Sequence, residues 1–152
     1  MAGTATLQQP TARVLVITQD EAVKGFINNL MLHKRVLAGL TESVESASHF
    51  LSTNPAPDVV ILDLDLPETR ALEFLRQIRR HDKLVKLPVL VLMSFPDPKQ
   101  VREAFDAGGN RYLTKMFMGK NLLTTIHEML DEAAASARPR QTAPLRQTGA
   151  LT

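Results

Sequence analysis

Cysteine and tryptophan are absent from this chain of 152 residues, which contains only one tyrosine and six phenylalanines. Without cysteine, disulfide bonds and thiolate metal sites are excluded. Long apolar runs are also missing, so no segment is predicted to span a membrane. The N-terminal stretch MAGTATLQQPTAR lacks the apolar run of a secretory signal. These absences predict a cytoplasmic protein.

The charge of the chain is distributed unevenly. The net charge is +2, but all 16 acidic residues precede position 134, and three of the 18 basic residues follow it. The first 132 residues therefore carry 15 basic and 16 acidic side chains, and the basic character belongs to the C-terminal stretch with Arg138, Arg140 and Arg146. Three spaced arginines without aromatic neighbours do not favour a nucleic-acid site. Nucleic acid is therefore not an expected partner.

Short aliphatic segments alternate with segments of helical period, which predicts a doubly wound α/β fold. Five strands are predicted at 14–17, 36–40, 59–62, 89–93 and 112–113, with five helices between and after them. Strands that are apolar throughout suit a parallel sheet buried on both faces. We expect one (βα)5 domain of flavodoxin-like type over residues 12–134, a disordered N-terminus over 1–11 and a flexible basic tail over 135–152.

In a doubly wound sheet, ligands bind at the carboxyl ends of the strands. The third predicted strand, VVIL, ends at Asp63, where a buried carboxylate is costly unless a partner satisfies it. The same edge is predicted to hold residues from the other strand ends. These residues are Thr18, Gln19, Asp20, Asp65, Met93, Ser94, Thr114 and Lys115.

Three separated motifs at this edge, PDVVILDLDLP, LPVLVLMS and DAGGNRYLTKMF, resemble those of receiver domains of two-component response regulators. The resemblance spans roughly residues 13–130. It implies a domain that accepts a phosphoryl group on an aspartate, with an acidic pair that holds Mg²⁺, a lysine and a hydroxyl that pair with the phosphate, and a switch aromatic. It is not an enzyme in the usual sense. The resemblance places the phosphoacceptor at Asp63, the lysine at Lys115 and the switch aromatic at Tyr112.

The remaining positions of that pattern are altered. The acidic pair falls on Thr18 and Gln19, and the hydroxyl position falls on Met93. Neutral oxygens are poor ligands for Mg²⁺, so Mg²⁺ is possible but not expected, and no cofactor is predicted. Met93 is expected to place an apolar chain where a phosphate oxygen would lie. We therefore interpret the chain as an atypical pseudo-receiver with a degenerate phosphorylation site.

Three residues are candidates to restore the lost groups. Asp20 and Asp65 could supply carboxylates, although Asp20 is more simply a helix cap. Ser94 could supply the hydroxyl, but adjacent strand residues point to opposite faces, so we expect Ser94 to point elsewhere. Asp63 has a structural interpretation as well, as half of a buried ion pair with Lys115.

Three hypotheses remain open at this point. The favoured one is a phosphorylation-independent interaction module; the second is a phosphoaccepting receiver that uses Asp63 with a substitute metal site. A nucleotide- or flavin-binding domain is disfavoured, because the first loop, TQDEAV, has no glycine-rich cradle. The resemblance implies protein partners, such as a sensor kinase or another regulator, and a homodimer through the fourth helix, fifth strand and fifth helix. The predicted interface residues are Val101, Arg102, Phe105, Arg111, Tyr112 and Leu122.

Overall fold

The structure is a computed structural model that describes residues 11–33, 35–67 and 70–137. Five parallel strands form one sheet in the order β2-β1-β3-β4-β5, and each is followed by a helix. The strands are β1 (Ala12–Ile17), β2 (Val36–Thr41), β3 (Val59–Asp63), β4 (Val89–Met93) and β5 (Arg111–Thr114). The helices are α1 (Glu21–Leu32), α2 (Val44–Thr53), α3 (Arg70–Arg80), α4 (Pro98–Ala107) and α5 (Met118–Ala137). The predicted fold class is confirmed.

The helix boundaries follow the capping residues in the sequence. Asp20 accepts a hydrogen bond from the amide of Ala22 at the start of α1, and Ser43 forms a capping box at the start of α2. Asp97 caps α4, with Pro98 at the first helical position. Gly108 ends α4 with φ of 119°, a left-handed conformation that favours glycine. These local signals set the starts of α1, α2 and α4 and the end of α4.

Two apolar layers enclose the sheet, as the continuous burial of β3 and β4 requires. On one face, alternate strand residues such as Leu62 and Val91 pack against α2, α3 and α4. On the other face, Ile61 and Leu92 pack against α1 and α5. The alternation matches the period of two in a strand. No helix in the described ranges is long and apolar enough to cross a membrane.

The predicted domain limits of 12 and 134 stay a prediction, and the described strands and helices run from Ala12 to Ala137. Helix α5 continues to Ala137, three residues beyond the predicted limit at 134, because the run Ala133–Ala135 consists of the strongest helix former. Residues 1–10 of the predicted N-terminal segment and residues 138–152 of the predicted tail lie outside the described residues.

Candidate functional site: an ammonium among three aspartates

Asp63 lies at the carboxyl end of β3 with only 2% of its surface exposed. Both carboxylate oxygens have protein partners. Oδ2 accepts a hydrogen bond from Oγ1 of Thr18 at 2.6 Å and pairs with Nζ of Lys115 at 2.9 Å. Oδ1 accepts from the backbone amide of Asp65 at 2.8 Å. This set of donors satisfies a buried carboxylate, which would otherwise be strongly destabilising.

Lys115 joins three carboxylates at one point. Its Nζ lies 2.9 Å from Oδ2 of Asp63, 2.9 Å from Oδ2 of Asp65 and 3.0 Å from Oδ2 of Asp20. Burial alone would lower the pKa of this ammonium, but the hydrogen bonds that it donates to the three aspartates outweigh burial and raise its pKa. The lysine is therefore charged throughout the physiological range. The expected pair of Asp63 and Lys115 is present, and it is part of a larger cluster.

Both outer aspartates are held in the charged form. The hydrogen bond from Lys115 is the main cause that lowers the pKa of Asp20. For Asp65, burial raises the pKa, but hydrogen bonds from Ser94 and Lys115 outweigh it, so that the pKa is lowered. Three carboxylates and one ammonium give the cluster a formal charge of −2.

Thr18 takes the position where the family pattern has an acid, and it is fully buried. Its hydroxyl donates to Asp63 and accepts from the backbone amide of Asp20 at 3.0 Å, so both capacities are used. Gln19 uses its side-chain amide to donate to the carbonyl oxygen of Glu42 at 3.0 Å. Neither residue brings a carboxylate to the site.

Ser94 reaches the cluster, contrary to the expectation that it would point elsewhere. Its Oγ donates to Oδ2 of Asp65 at 2.6 Å. The expectation took Met93 to face the site, but Met93 shares the opposite face with Val91, and the residue after it therefore falls on the face of Leu92, which pairs in register with Asp63. The rescue candidates Asp20, Asp65 and Ser94 are therefore all in contact with one another or with Lys115.

Met93 does not occupy the cavity, which corrects a second expectation. Its side chain is fully buried and packs in the apolar layer beneath α2, α3 and α4. A cavity of about 330 Å³ opens above Asp63. It is lined by Gln19, Asp20, Asp63, Asp65, Leu66, Ser94 and Lys115. The alternation within β4 explains the result, because Met93 shares the face of Val91 and not that of Leu92.

The residues of this cluster, as they are arranged, do not fit Mg²⁺. The three carboxylate oxygens that converge already surround Nζ of Lys115, the hydroxyl of Thr18 donates to Asp63, and the side-chain nitrogen of Gln19 donates to Glu42. Within the part of the chain that the structure describes, no group of three His, Cys, Asp or Glu residues is arranged to hold a metal ion. A divalent cation would need Lys115 to leave the point where the carboxylates meet.

A family model described as response regulator receiver domain matches residues 14–127, which is more than half of the chain. The chain belongs to this family. The chain is 28% identical over 102 residues to the two-component response regulator ORR13 of Oryza sativa subsp. japonica. The aligned region covers 67% of this chain and 84% of that protein. The chain is 26% identical over 119 residues to the DNA-binding dual master transcriptional regulator RpaA of Synechocystis sp., which corresponds to 78% of this chain and 48% of RpaA.

The chain thus spans about half the length of RpaA but most of ORR13. Among solved structures, the receiver domain is similar to a putative response regulator from Chloroflexus aurantiacus, with a TM-score of 0.73 and 24% identity over 80% of this chain and 99% of that chain. It also matches the phosphorylated cyanobacterial phytochrome response regulator RcpA, with a TM-score of 0.67 and 19% identity over 85% and 98% of the two chains. Both likenesses support the receiver fold.

The predicted interface of the receiver domain is exposed in part. Phe105 and Tyr112 are both more than two-fifths exposed and form an edge-to-face pair with ring centroids 6.2 Å apart. Arg102 is exposed, and Val101 is half-buried. The prediction of Leu122 as an interface residue is wrong, because its side chain is fully buried on the side of α5 that faces the sheet.

Arg111 of the same predicted interface has intramolecular partners. Its guanidinium binds Glu128 at 2.8 Å and also Glu132, so that β5 is tied to α5. Sequence reasoning missed one contributor to the site, the backbone amide of Asp65, which donates to Asp63. The short spacing of DLD could have indicated it, since an aspartate often accepts from the amide two residues on.

Proposed function

We propose that this receiver domain acts as a phosphorylation-independent protein–protein interaction module in a two-component signalling pathway. It uses no cofactor and catalyses no reaction of its own. Its partners are a sensor kinase or another regulator in the cytoplasm, and not nucleic acid or membrane. The transcriptional role in the name of RpaA belongs to that longer protein.

The observation that carries this proposal is that both carboxylate oxygens of Asp63 already have partners within the protein. A phosphoacceptor needs a carboxylate oxygen free to attack phosphorus, with positive charge nearby to offset the phosphoryl group. Here Oδ2 of Asp63 is engaged by Thr18 and Lys115, and the two other aspartates bring negative charge within 3.0 Å of the same ammonium. An incoming phosphoryl dianion meets a cluster of formal charge −2.

The proposal is tested with beryllofluoride, which mimics a phosphoryl group bound to aspartate. The ¹⁵N-labelled full chain is titrated with beryllofluoride in Mg²⁺, and the amide resonances of residues 63–66 and 94–95 are followed by NMR. We expect no saturable shift. The double variant Thr18→Asp/Gln19→Asp, which places acids at both altered positions, serves as the gain-of-binding control. Saturable binding by the unmodified chain would overturn the proposal.

A second candidate function is a working phosphoacceptor, and one observation favours it. Asp20, Asp65 and Ser94 converge on the cavity above Asp63, so that two carboxylates and a hydroxyl are present although the usual positions lack them. In this alternative an Asp63 oxygen attacks the phosphorus of acetyl phosphate, and the bond from phosphorus to the acetate oxygen breaks and releases acetate. Lys115 must first leave the three carboxylates.

Acetyl phosphate labelling decides between the two functions. The full chain and Asp63→Asn are incubated with acetyl phosphate in excess Mg²⁺ or Mn²⁺ and compared by intact mass. A mass increase of one phosphoryl group in the full chain, absent from Asp63→Asn, would establish the second function. We expect no such increase in either protein.

Homodimerisation through α4, β5 and α5 is a further part of the proposal. The exposed pair of Phe105 and Tyr112 supports it, since exposed aromatic residues are enriched at interfaces. Sedimentation velocity over a hundredfold range of concentration tests it. We expect Tyr112→Ser to shift the protein toward monomer, and a monomer at all concentrations in the unmodified chain would refute it.

A further inference from the structure

Three large apolar side chains are exposed on the two loops that flank the acidic cavity. Phe95 is 86% exposed on the loop after β4, and Met116 and Phe117 are 79% and 50% exposed on the turn after β5. A side chain that is this exposed contributes little to folding. Grouped apolar exposure of this kind marks an interaction site more often than a structural need.

These side chains belong to one surface. Strands β4 and β5 are neighbours, and Met93 pairs with Thr114 at their carboxyl ends, which places the two loops about one strand spacing of 4.8 Å apart. Ser94 and Lys115, the residues directly before Phe95 and Met116, both contact Oδ2 of Asp65. We call the surface formed by Phe95, Met116, Phe117 and the acidic cavity the acidic–apolar edge.

The charge of this surface is unbalanced. Lys115 is the single cation among the described residues that line the cavity, and it is already shared by three carboxylates. The side chains of Asp20 and Asp65 are 34% and 35% exposed, so their charge is accessible to a partner. An apolar rim around an accessible negative centre is complementary to a positive side chain surrounded by apolar ones.

We propose that the acidic–apolar edge binds a protein partner that presents an arginine or lysine side chain within an apolar surface. The cation pairs with Asp65 and Asp20, and the apolar residues cover Phe95 and Met116. The proposal rests on the phosphorylation-independent function, because it needs these carboxylates free of a metal and of a phosphoryl group. Such a partner binds the unmodified carboxylates directly, so phosphorylation is not needed to create the surface.

The test uses two synthetic helical peptides as probes of that chemistry. In the first, one arginine lies between leucines spaced three and four residues apart; in the second, glutamine replaces the arginine. Each is titrated into the ¹⁵N-labelled full chain in EDTA, without Mg²⁺, and amide shifts are followed. We expect the arginine peptide to shift the resonances of Phe95, Met116 and Phe117, and the glutamine peptide to bind about tenfold more weakly.

Variants of the chain locate the binding. Phe95→Ser changes an exposed residue and should keep the fold. It should weaken the binding of the arginine peptide about tenfold. Leu37→Ser is the matched control, because Leu37 is an apolar residue 61% exposed on the edge strand β2. It should leave the affinity unchanged. Raising the salt concentration should weaken the binding of the arginine peptide and leave the binding of the glutamine peptide unchanged.

Several outcomes would overturn this inference. These are equal binding of the two peptides, equal effects of Phe95→Ser and Leu37→Ser, and shifts confined to other surfaces. Self-association of the chain that is lost in Phe95→Ser would assign the surface to a second copy and overturn it as well. Because the titrations contain EDTA, they are independent of the beryllofluoride experiment. Beryllofluoride binding would refute the proposed function and remove the basis of this inference, whereas absent peptide binding would refute this inference and leave the proposed function standing.

Discussion

Replacement of Lys115 by methionine removes the positive charge of the cluster and keeps much of the side-chain volume. Asp63, 2% exposed, then loses an ammonium 2.9 Å from its Oδ2. At an effective dielectric constant of about 20, such a pair interacts by roughly 6 kcal/mol before desolvation is counted. Removing one partner of a buried pair typically costs about 3–5 kcal/mol. Asp20 and Asp65 add less, because their charges are a third exposed and screened by water.

The assay is urea unfolding at pH 7, followed by circular dichroism. We expect Lys115→Met to lower the free energy of unfolding by about 3–5 kcal/mol, a large part of the stability of a domain of this size. Lys99→Met is the matched control, since Lys99 is 81% exposed and pairs with Glu103 at 4.0 Å. That substitution should change the free energy of unfolding by less than about 0.5 kcal/mol.

A double-mutant cycle with Asp63→Asn isolates the pair. Asp63→Asn in the Lys115→Met background removes a buried charge that has lost its partner, so it should recover part of the lost stability. If Lys115→Met were as stable as Lys99→Met, the interpretation of Lys115 as the structural counterion of Asp63 would be wrong.

Three further predictions concern pH, a helix end and the core. The pKa values of Asp20 and Asp65 are lowered, so their charges stabilise the fold above the unfolded pKa of 3.8, and this stabilisation is lost as the pH falls through the pKa values of the folded state. Urea unfolding measured between pH 6 and 3 should show a steeper loss of unfolding free energy for the unmodified chain than for its Asp20→Asn or Asp65→Asn variant. Gly108→Ala should destabilise by about 1–3 kcal/mol, because φ is 119° and a Cβ would lie 2.5 Å from Cγ of Arg79; an unchanged melting temperature would contradict this. Leu122→Ala should cost about 2–5 kcal/mol in the same urea assay as a core truncation, whereas an interface residue would cost little.

The fold could be predicted because its signals are local. The apolar segments that became β1, β3 and β4 are each bounded by a polar residue that starts a turn, and Asp20, Ser43 and Asp97 all cap the helices that follow. The strand positions in turn placed Asp63 and Lys115 at one edge, so the central pair of the site also followed from the sequence.

The errors arose where direction, and not position, had to be inferred. The resemblance places the fifth helix in an interface but does not say which side of that helix faces the sheet, and Leu122 lies on the buried side. For Ser94 the error lay in the direction of Met93: because Met93 faces the layer of Val91, the next residue falls on the side of Leu92 and Asp63. The contact of Lys115 with Asp20 joins residues 95 positions apart, and only the assembled sheet brings them together.

Thr18 has a consequence for how the site can change over time. Its hydroxyl is at once a donor to Asp63 and an acceptor for the first amide before α1, two tasks that an ionised aspartate at position 18 cannot both perform. Such a replacement alone would also set a fourth carboxylate beside a single ammonium. The acidic pair therefore cannot be regained by a stable single substitution at this position. A change from the present site to a phosphorylatable one would pass through less stable single variants, so several residues must change together.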